Sequence, residues 1–244
     1  NKNCISTIAI LIYMVWCKQI YKEHDIQNYK KYVDYLIKRN NIYGYYYDAV
    51  FDIFNKHYDE ALIKLKDILK KDNTFYIVHI KIATTILNNK CSEIDTAIKY
   101  LEEALLLGSK HPYYVLGLVY KGVYNSKYIN INKSIEMFNK SIESNAFNKY
   151  FSADALGTTY LKYKSNMLHE SFKYYKLASD NELFESHYNL LYLLNTTQFH
   201  LMNSNEIIEL IVKYLTHKRT EKTNTGKRRF ILQMLKKNMK NNLH

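Results

Sequence analysis

The side chains able to do metal or acid–base chemistry are scattered through this chain of 244 residues. Its nine histidines, His24, His57, His79, His111, His169, His187, His200, His217 and His244, never fall three or four positions apart. Two imidazoles need that spacing to share a metal ion from one helical face. The three cysteines, Cys4, Cys17 and Cys91, form no CxxC pair and have no histidine pair at ligand spacing. They read as reduced, packed thiols rather than as ligands or a disulfide framework. Glu102 and Glu103 are adjacent, so on a helix they point in different directions and suit two solvated carboxylates better than an acid/base pair. There is no P-loop, GxGxxG, HExxH or GxSxG segment. No enzyme, no cofactor and no metal site is expected.

Function must then come from surface, and surface from the elements that carry it. With 47% apolar residues the chain can build a core, and with 6 Gly and 1 Pro it lacks the punctuation of a turn-rich β fold. The formal charge is +12, but Asn at 25 and Lys at 31 against Arg at 4 follow A/T-rich codons, so the total is weak evidence for an acidic partner. Its distribution is more telling. Residues 213 to 244 hold 10 basic side chains against Glu221 alone, and the rest of the chain is nearly balanced.

The run Ile5 to Cys17, ISTIAILIYMVWC, is apolar all round except at Ser6 and Thr7. Thirteen helical residues cover about 20 Å, short of a ~30 Å hydrocarbon core. Basic residues lie mainly behind the run, and Val15, Trp16 and Cys17 make a poor cleavage site. A buried first helix, a signal or short anchor, and a binding helix all stay open, so a cytoplasmic protein with membrane association through this run is among the expectations.

A repeat dominates the chain after this run. HYDEALIKLKDIL from His57, IDTAIKYLEEALLLG from Ile94, INKSIEMFNKSIES from Ile131 and LHESFKYYKLAS from Leu168 share one pattern. The small residues Ala61, Ala97, Ser134 and Ser171 are spaced 36, 37 and 37. The large ones Leu65, Leu101, Phe138 and Tyr175, and the second crossing set Ile68, Ala104, Ser141 and Ala178, keep the same steps. A further step of 37 lands on Ile208 and Leu215, a degenerate fifth copy with large residues at the small positions, as befits the end of an array. Before the third and fourth copies stand YYVLGLVY and SADALGTTY, with Gly117 and Gly157 ahead of Tyr120 and Tyr160. Gly inside a helix costs up to ~1 kcal/mol against Ala, so two at equivalent places ask for a close helix crossing with an aromatic ring filling the wedge.

These residues resemble the tetratricopeptide superfamily, and within it the Sel-one-like repeats, whose units run Leu-Gly-x-x-Tyr in one helix and Lys-Ala-x-x-x-aromatic-x-Lys-Ala in the next. Lys133, Ser134, Phe138, Lys140 and Ser141 fit that second pattern. The resemblance covers roughly residues 40 to 215. It departs from the pattern after the tyrosine, where Gly122 is shifted and no glycine follows Tyr160, and at the closing glycine, present only as Gly108. It implies an all-α, α/α superhelical solenoid of about five antiparallel helix pairs, divided as residues 1–39 (apolar helix and lead-in helix), 40–216 (repeat array) and 217–244 (basic amphipathic tail). It also implies a scaffold or adaptor that holds a protein or peptide in the concave groove lined by the first helix of each unit. The superfamily's groove positions fall on His111, Tyr114, Leu118 and Lys121, then on Phe151, Asp154, Thr158, Leu161 and Lys162. Tyr114 and Phe151 offer rigid apolar contact, and Lys121 and Lys162 suit a carboxylate. A peptide-sensing repeat domain of a regulator is the neighbouring expectation.

The tail holds three of the four arginines, Arg219, Arg228 and Arg229, beside Lys218, Lys227, Lys236 and Lys237. After the linker-like residues 223 to 226, Phe230, Ile231, Met234 and Leu235 make the apolar face of a short basic helix. Two roles fit it: association with nucleic acid or an anionic surface, and a capping helix that covers the last repeat.

Overall fold

A computed structural model describes residues 23–89, 93–164, 166–196, 202–216 and 225–241. Every element in them is helical. The apolar run at residues 5–17 and all three cysteines lie outside the described residues, as do Lys218 and Arg219. The chain divides into two compact units, with the boundary between Ser109 and Lys110.

The first unit contains α1 (Glu23–Lys38), α2 (Ile42–Phe54), α3 (Tyr58–Lys71), α4 (Tyr76–Asn89) and α5 (Ile94–Leu106). Helices α2 and α3 pair, α4 and α5 pair, and α1 packs on α2. The periodic residues of α3 and α5 are the buried ones: Ala61, Leu65 and Ile68, then Ala97, Leu101 and Ala104. Ala83 of α4 is fully buried and precedes Ala97 by 14 residues, the same interval that separates Gly157 from Ser171. It takes in this copy the crossing place that glycine takes later.

The second unit contains α6 (Pro112–Tyr120), a 3-10 turn (Ser126–Tyr128), α7 (Ile131–Glu143), α8 (Lys149–Tyr163), α9 (Leu168–Asp180), α10 (Phe184–Thr196), α11 (Ser204–Thr216) and α12 (Thr225–Asn241). The pairs are α6 with α7, α8 with α9 and α10 with α11, and α12 packs on α11. A Cβ on Gly117 would lie 2.4 Å from the Phe138 ring, and one on Gly157 would lie 2.6 Å from the Tyr175 ring. The aromatic residue of each second helix therefore rests on the backbone of the first, and both rings are buried. Beside each glycine the small residue of the second helix closes the crossing: Ser134 Oγ donates to Gly117 O at 2.9 Å and Ser171 Oγ to Gly157 O at 2.8 Å.

The missing closing glycines have a structural answer. Gly108, Asn145 and Glu182 all adopt left-handed backbone, with φ of 88°, 53° and 61°. They stand 37 residues apart, each just past the end of a second helix. The residue after each donates its N–H back five positions: Ser109 to Ala104 O, Ala146 to Ser141 O and Leu183 to Ala178 O, at 3.0–3.1 Å. This is the left-handed helix stop that satisfies the last carbonyls and favours glycine. Two copies make the turn without it. Gly122, also at positive φ, closes α6 in the same manner, and Ile129 covers it so closely that a Cβ would meet Ile129 Cγ1 at 2.4 Å.

The fifth copy corrects the sequence reading in its register. Its buried residues are Leu210, Ile211 and Tyr214, so the row that follows Tyr175 and Ala178 is Ile211 and Tyr214, a step of 36 rather than 37. Val212, which the 37-residue step would place under the crossing, is 48% exposed. Tyr214 stacks on Phe184 of α10 at 5.0 Å between ring centroids. A large ring at the old small position holds α10 and α11 together through stacking instead of close backbone approach. Helix α12 then covers this pair: Ile231 and Met234 are buried in one cluster with Leu210, Ile211 and Tyr214, and Phe230 and Leu235 pack at its edge. The apolar face of the tail is a cap on the last repeat.

Candidate partner-binding face

Helices α6, α8 and α10 are the first helices of their pairs. Tyr114 of α6 meets Phe151 of α8, and Lys121 reaches from the end of α6 to α8. Helix α8 follows α6 closely, and α10 joins α8 through Asp154, whose Oδ1 accepts from Ser186 Oγ at 2.6 Å and Asn189 Nδ2 at 2.8 Å.

Lys121 caps the C-terminal end of α6 and reaches the next helix, where Nζ donates to Ala155 O at 3.2 Å. Burial pushes its pKa down to about 8; Asp154 works against that shift, and Lys162 adds to it. Its ammonium is thus poorly hydrated and seated in the floor of the face. Lys162 is exposed, 4.9 Å over the Tyr163 ring. Tyr114 is half-buried between Phe138 at 6.1 Å and Phe151 at 6.2 Å, and burial, with Tyr124 and Asp154 nearby, raises its phenol pKa.

Thr158 and Leu118 occupy matching places in successive units and are matched to what lies beneath them. Leu118 packs on the cluster around Phe138. Thr158 Oγ1 accepts from the Tyr175 hydroxyl at 3.1 Å and donates to Asp154 O at 3.0 Å. Where the buried ring carries a hydroxyl, the face above it carries another. His111 stands at the start of α6, its carbonyl accepting from Asn148 Nδ2 at 3.4 Å. Leu161 differs from the rest: it packs into the hydrophobic cluster of the last repeats.

Three contributors were not legible in the sequence. Ser186 and Asn189 lie in α10, which has no Leu-Gly signal to mark its register. Phe147 precedes α8 in the turn and is 84% exposed, its ring 6.0 Å from His111.

The tail residues divide. Lys227 lies 4.4 Å over the Tyr188 ring. Arg228, Arg229 and Lys236 are exposed and line, with Leu232 and Gln233, a shallow concavity of about 410 Å³ on the outer side of α12. The Lys237 side chain lies outside the described residues. A second concavity of about 460 Å³ in the first unit is lined in part by Asp48, Lys64 and Asp67. Two of its lysines are paired, Lys64 to Asp48 and Asp52 at 2.6 and 2.7 Å and Lys70 to Asp67 at 2.7 Å, and Lys71 lies 4.2 Å over the Tyr45 ring. Among the described residues no group of three His, Cys, Asp or Glu is placed to hold a metal ion, and no helix is long and apolar enough to cross a membrane.

No protein-family model and no curated protein matches the sequence. Solved structures do match. PilW, a widely conserved type IV pilus biogenesis factor, is 15% identical with a TM-score of 0.56 over 78% of this chain and 86% of its own. A Sel1 repeat protein from Oxalobacter formigenes is 14% identical with a TM-score of 0.55 over 94% and 99% of the two chains. The human IFIT1 dimer, solved with PPP-AAAA, is 15% identical with a TM-score of 0.60 over 96% of this chain and 53% of its own, so this chain spans about half of that protein. The fold is an all-α array of paired helices, similar to that of these solved structures.

Proposed function

We propose that the protein is a non-catalytic adaptor whose face of α6, α8 and α10 binds a polypeptide partner. The observation that carries this reading is the contrast between framework and display on that face. Asp154, Thr158 and Lys121 are fixed by hydrogen bonds between helices, while Phe151 and Lys162 stand exposed beside them. A rigid floor with an exposed ring and an exposed cation lowers the ordering cost of binding and supplies both an apolar anchor and a charge partner. Structural relatives of this class support a protein-binding role in general. The peptide-sensing domain of a regulator would use the same face.

The test is affinity capture from the source-cell lysate with the full chain and with a Phe151→Ala, Lys162→Ala variant. Both residues are exposed, so circular dichroism should be unchanged. Loss of a specific protein from the variant supports the reading; full retention of everything captured sinks it.

A second reading rests on the outer side of α12, where Arg228, Arg229 and Lys236 have no ion pair among the described residues. Association with an anionic surface or nucleic acid there would weaken steeply with salt and vanish in an Arg228→Ala, Arg229→Ala variant. Salt-insensitive binding would exclude it.

A further inference from the structure

Lys64 stands at a repeat position that is uncharged in the copies after it. It follows Ala61 of α3 by three residues, and the same place in the next three copies holds Tyr100, Met137 and Tyr174. In the fourth copy Tyr174 of α9 stacks on Tyr160 of α8 at 5.8 Å, and its hydroxyl donates to Asn139 Oδ1 of α7 at 3.1 Å. One ring thus fills the space where three successive helices meet. Helices α1, α2 and α3 follow one another as α7, α8 and α9 do, but here the filler is ionic. Lys64 Nζ lies 2.6 Å from Asp48 Oδ2 and 2.7 Å from Asp52 Oδ2. Such a cluster stabilises a fold less than the apolar packing it replaces, and a charge set at a packing position is the kind of departure that functional sites carry.

Beside the triad the space is open. A crevice of about 460 Å³ is walled by Ile37 of α1, Tyr45 of α2 and Ile68 of α3, a size suited to a small ligand. It is bipolar. At one end two carboxylates share one ammonium, an excess of one negative charge, and the Asp48 side chain is 38% exposed with acceptor capacity to spare. Burial works to lower the Lys64 pKa, and its bonds to the two aspartates outweigh that and raise it, so the ammonium stays charged. At the other end Lys71 lies 4.2 Å over the Tyr45 ring and forms no salt bridge among the described residues. Asp67, one turn before Lys71, pairs with the exposed Lys70 and is itself more than half exposed. Lys64 and Lys71 are seven residues apart on α3, about 10 Å at ~1.5 Å of rise per residue.

We infer that this crevice binds a basic α-amino acid, free or as the last residue of a chain, with its side-chain cation on Asp48, its carboxylate on Lys71 and its apolar stem along Ile37 and Ile68. In the free amino acid the α-ammonium meets Asp67. A simple cation fits less well, because it leaves Lys71 unmatched and is repelled by it, and a polyanion meets Asp48 and Asp67. The site is built from other helices than the α6, α8 and α10 face and does not depend on the polypeptide-binding reading.

The experiment is calorimetric titration of the full chain with L-arginine, L-lysine and the peptide acetyl-Gly-Gly-Arg. Beside them run agmatine and cadaverine, which lack the carboxylate, and citrulline and norleucine, which lack the side-chain charge. The expected result is one-to-one binding of a basic amino acid or of the peptide, at least tenfold tighter than any of the four analogues. Binding of the free amino acids, of the peptide or of both tells the two sources apart. Asp48→Asn and Lys71→Gln should each weaken binding at least tenfold with unchanged circular dichroism, and should either variant fail to fold, the analogues on the unaltered chain still decide. Analogues that bind as well as the amino acids, folded variants that bind as well as the wild type, or no binding at millimolar concentration overturn the inference.

Discussion

Ser134 Oγ donates to the carbonyl of Gly117 at 2.9 Å, and the same bond recurs one copy later between Ser171 and Gly157. The hydroxyl is held there because the glycine admits the partner helix: the ring of Phe138 rests where a Cβ on Gly117 would stand. Close approach, buried ring and serine bond are one device.

Gly117→Ala should therefore destabilise, although alanine is the better helix former by ~1 kcal/mol. The new methyl meets a fully buried ring that cannot swing aside, and overpacking of this kind costs about 1–3 kcal/mol. Thermal unfolding of Gly117→Ala and of Gly117→Ala with Phe138→Leu checks it: the second change should restore part of the loss.

Exchanging the buried rings should be asymmetric. Burial pushes the Tyr175 phenol pKa up to about 12, and its hydroxyl is bonded to Thr158. Tyr175→Phe should cost about 1 kcal/mol, the net value of one hydrogen bond. Phe138→Tyr should cost more, because its hydroxyl would face Leu118 with no hydroxyl above it. Denaturant unfolding of the two variants ranks them.

Glu182 makes a left-handed stop that glycine makes at Gly108. Glu182→Gly should stabilise by roughly 1 kcal/mol by removing the Cβ strain, less the entropy glycine adds to the unfolded chain. Asn145→Gly should gain less, since asparagine tolerates this backbone. The midpoint of thermal unfolding reports both.

Lys121 gives the face a pH dependence. Its pKa is lowered to about 8 from an ordinary 10.5, so between those values the unfolded chain binds more protons than the folded one. Its contribution to stability therefore improves as pH rises through that window and is at its worst below it. Carboxylate binding runs the other way, weakening as pH rises through about 8 and the ammonium is lost. Titration of a bound acidic peptide from pH 7 to 9 should show this weakening in the wild type and lose most of it in Lys121→Arg, whose guanidinium stays charged.

The two faces of α12 should separate by stability. Ile231→Ala removes a buried side chain from the last cluster and should cost about 2–5 kcal/mol. Arg228→Ala with Arg229→Ala should change stability by less than ~0.5 kcal/mol, because both side chains are exposed. Equal effects would contradict the division of the helix.

The helix pairs were written in the sequence at the small and aromatic positions. A crossing with no room for a Cβ restricts the residue at each contact whatever surrounds it, so Gly117, Phe138, Gly157 and Tyr175 carry a visible period. The apolar face of the tail was readable for the same reason, as a helical spacing of Phe230, Ile231, Met234 and Leu235. What that face covers was not: capping and a free basic tail have the same pattern, and only its burial against Leu210, Ile211 and Tyr214 decides. The left-handed stops at Asn145 and Glu182 escaped because several residue types can bear a modest backbone strain, leaving no glycine to mark them. The fifth copy slipped by one residue because stacking of Tyr214 on Phe184 replaces the close crossing that fixed the register earlier. The proposed binding face depended most on tertiary structure. Asp154 is 32 residues from Ser186 and 35 from Asn189, and a side chain reaches across such a gap only once the stacking of α8 on α10 has brought it there.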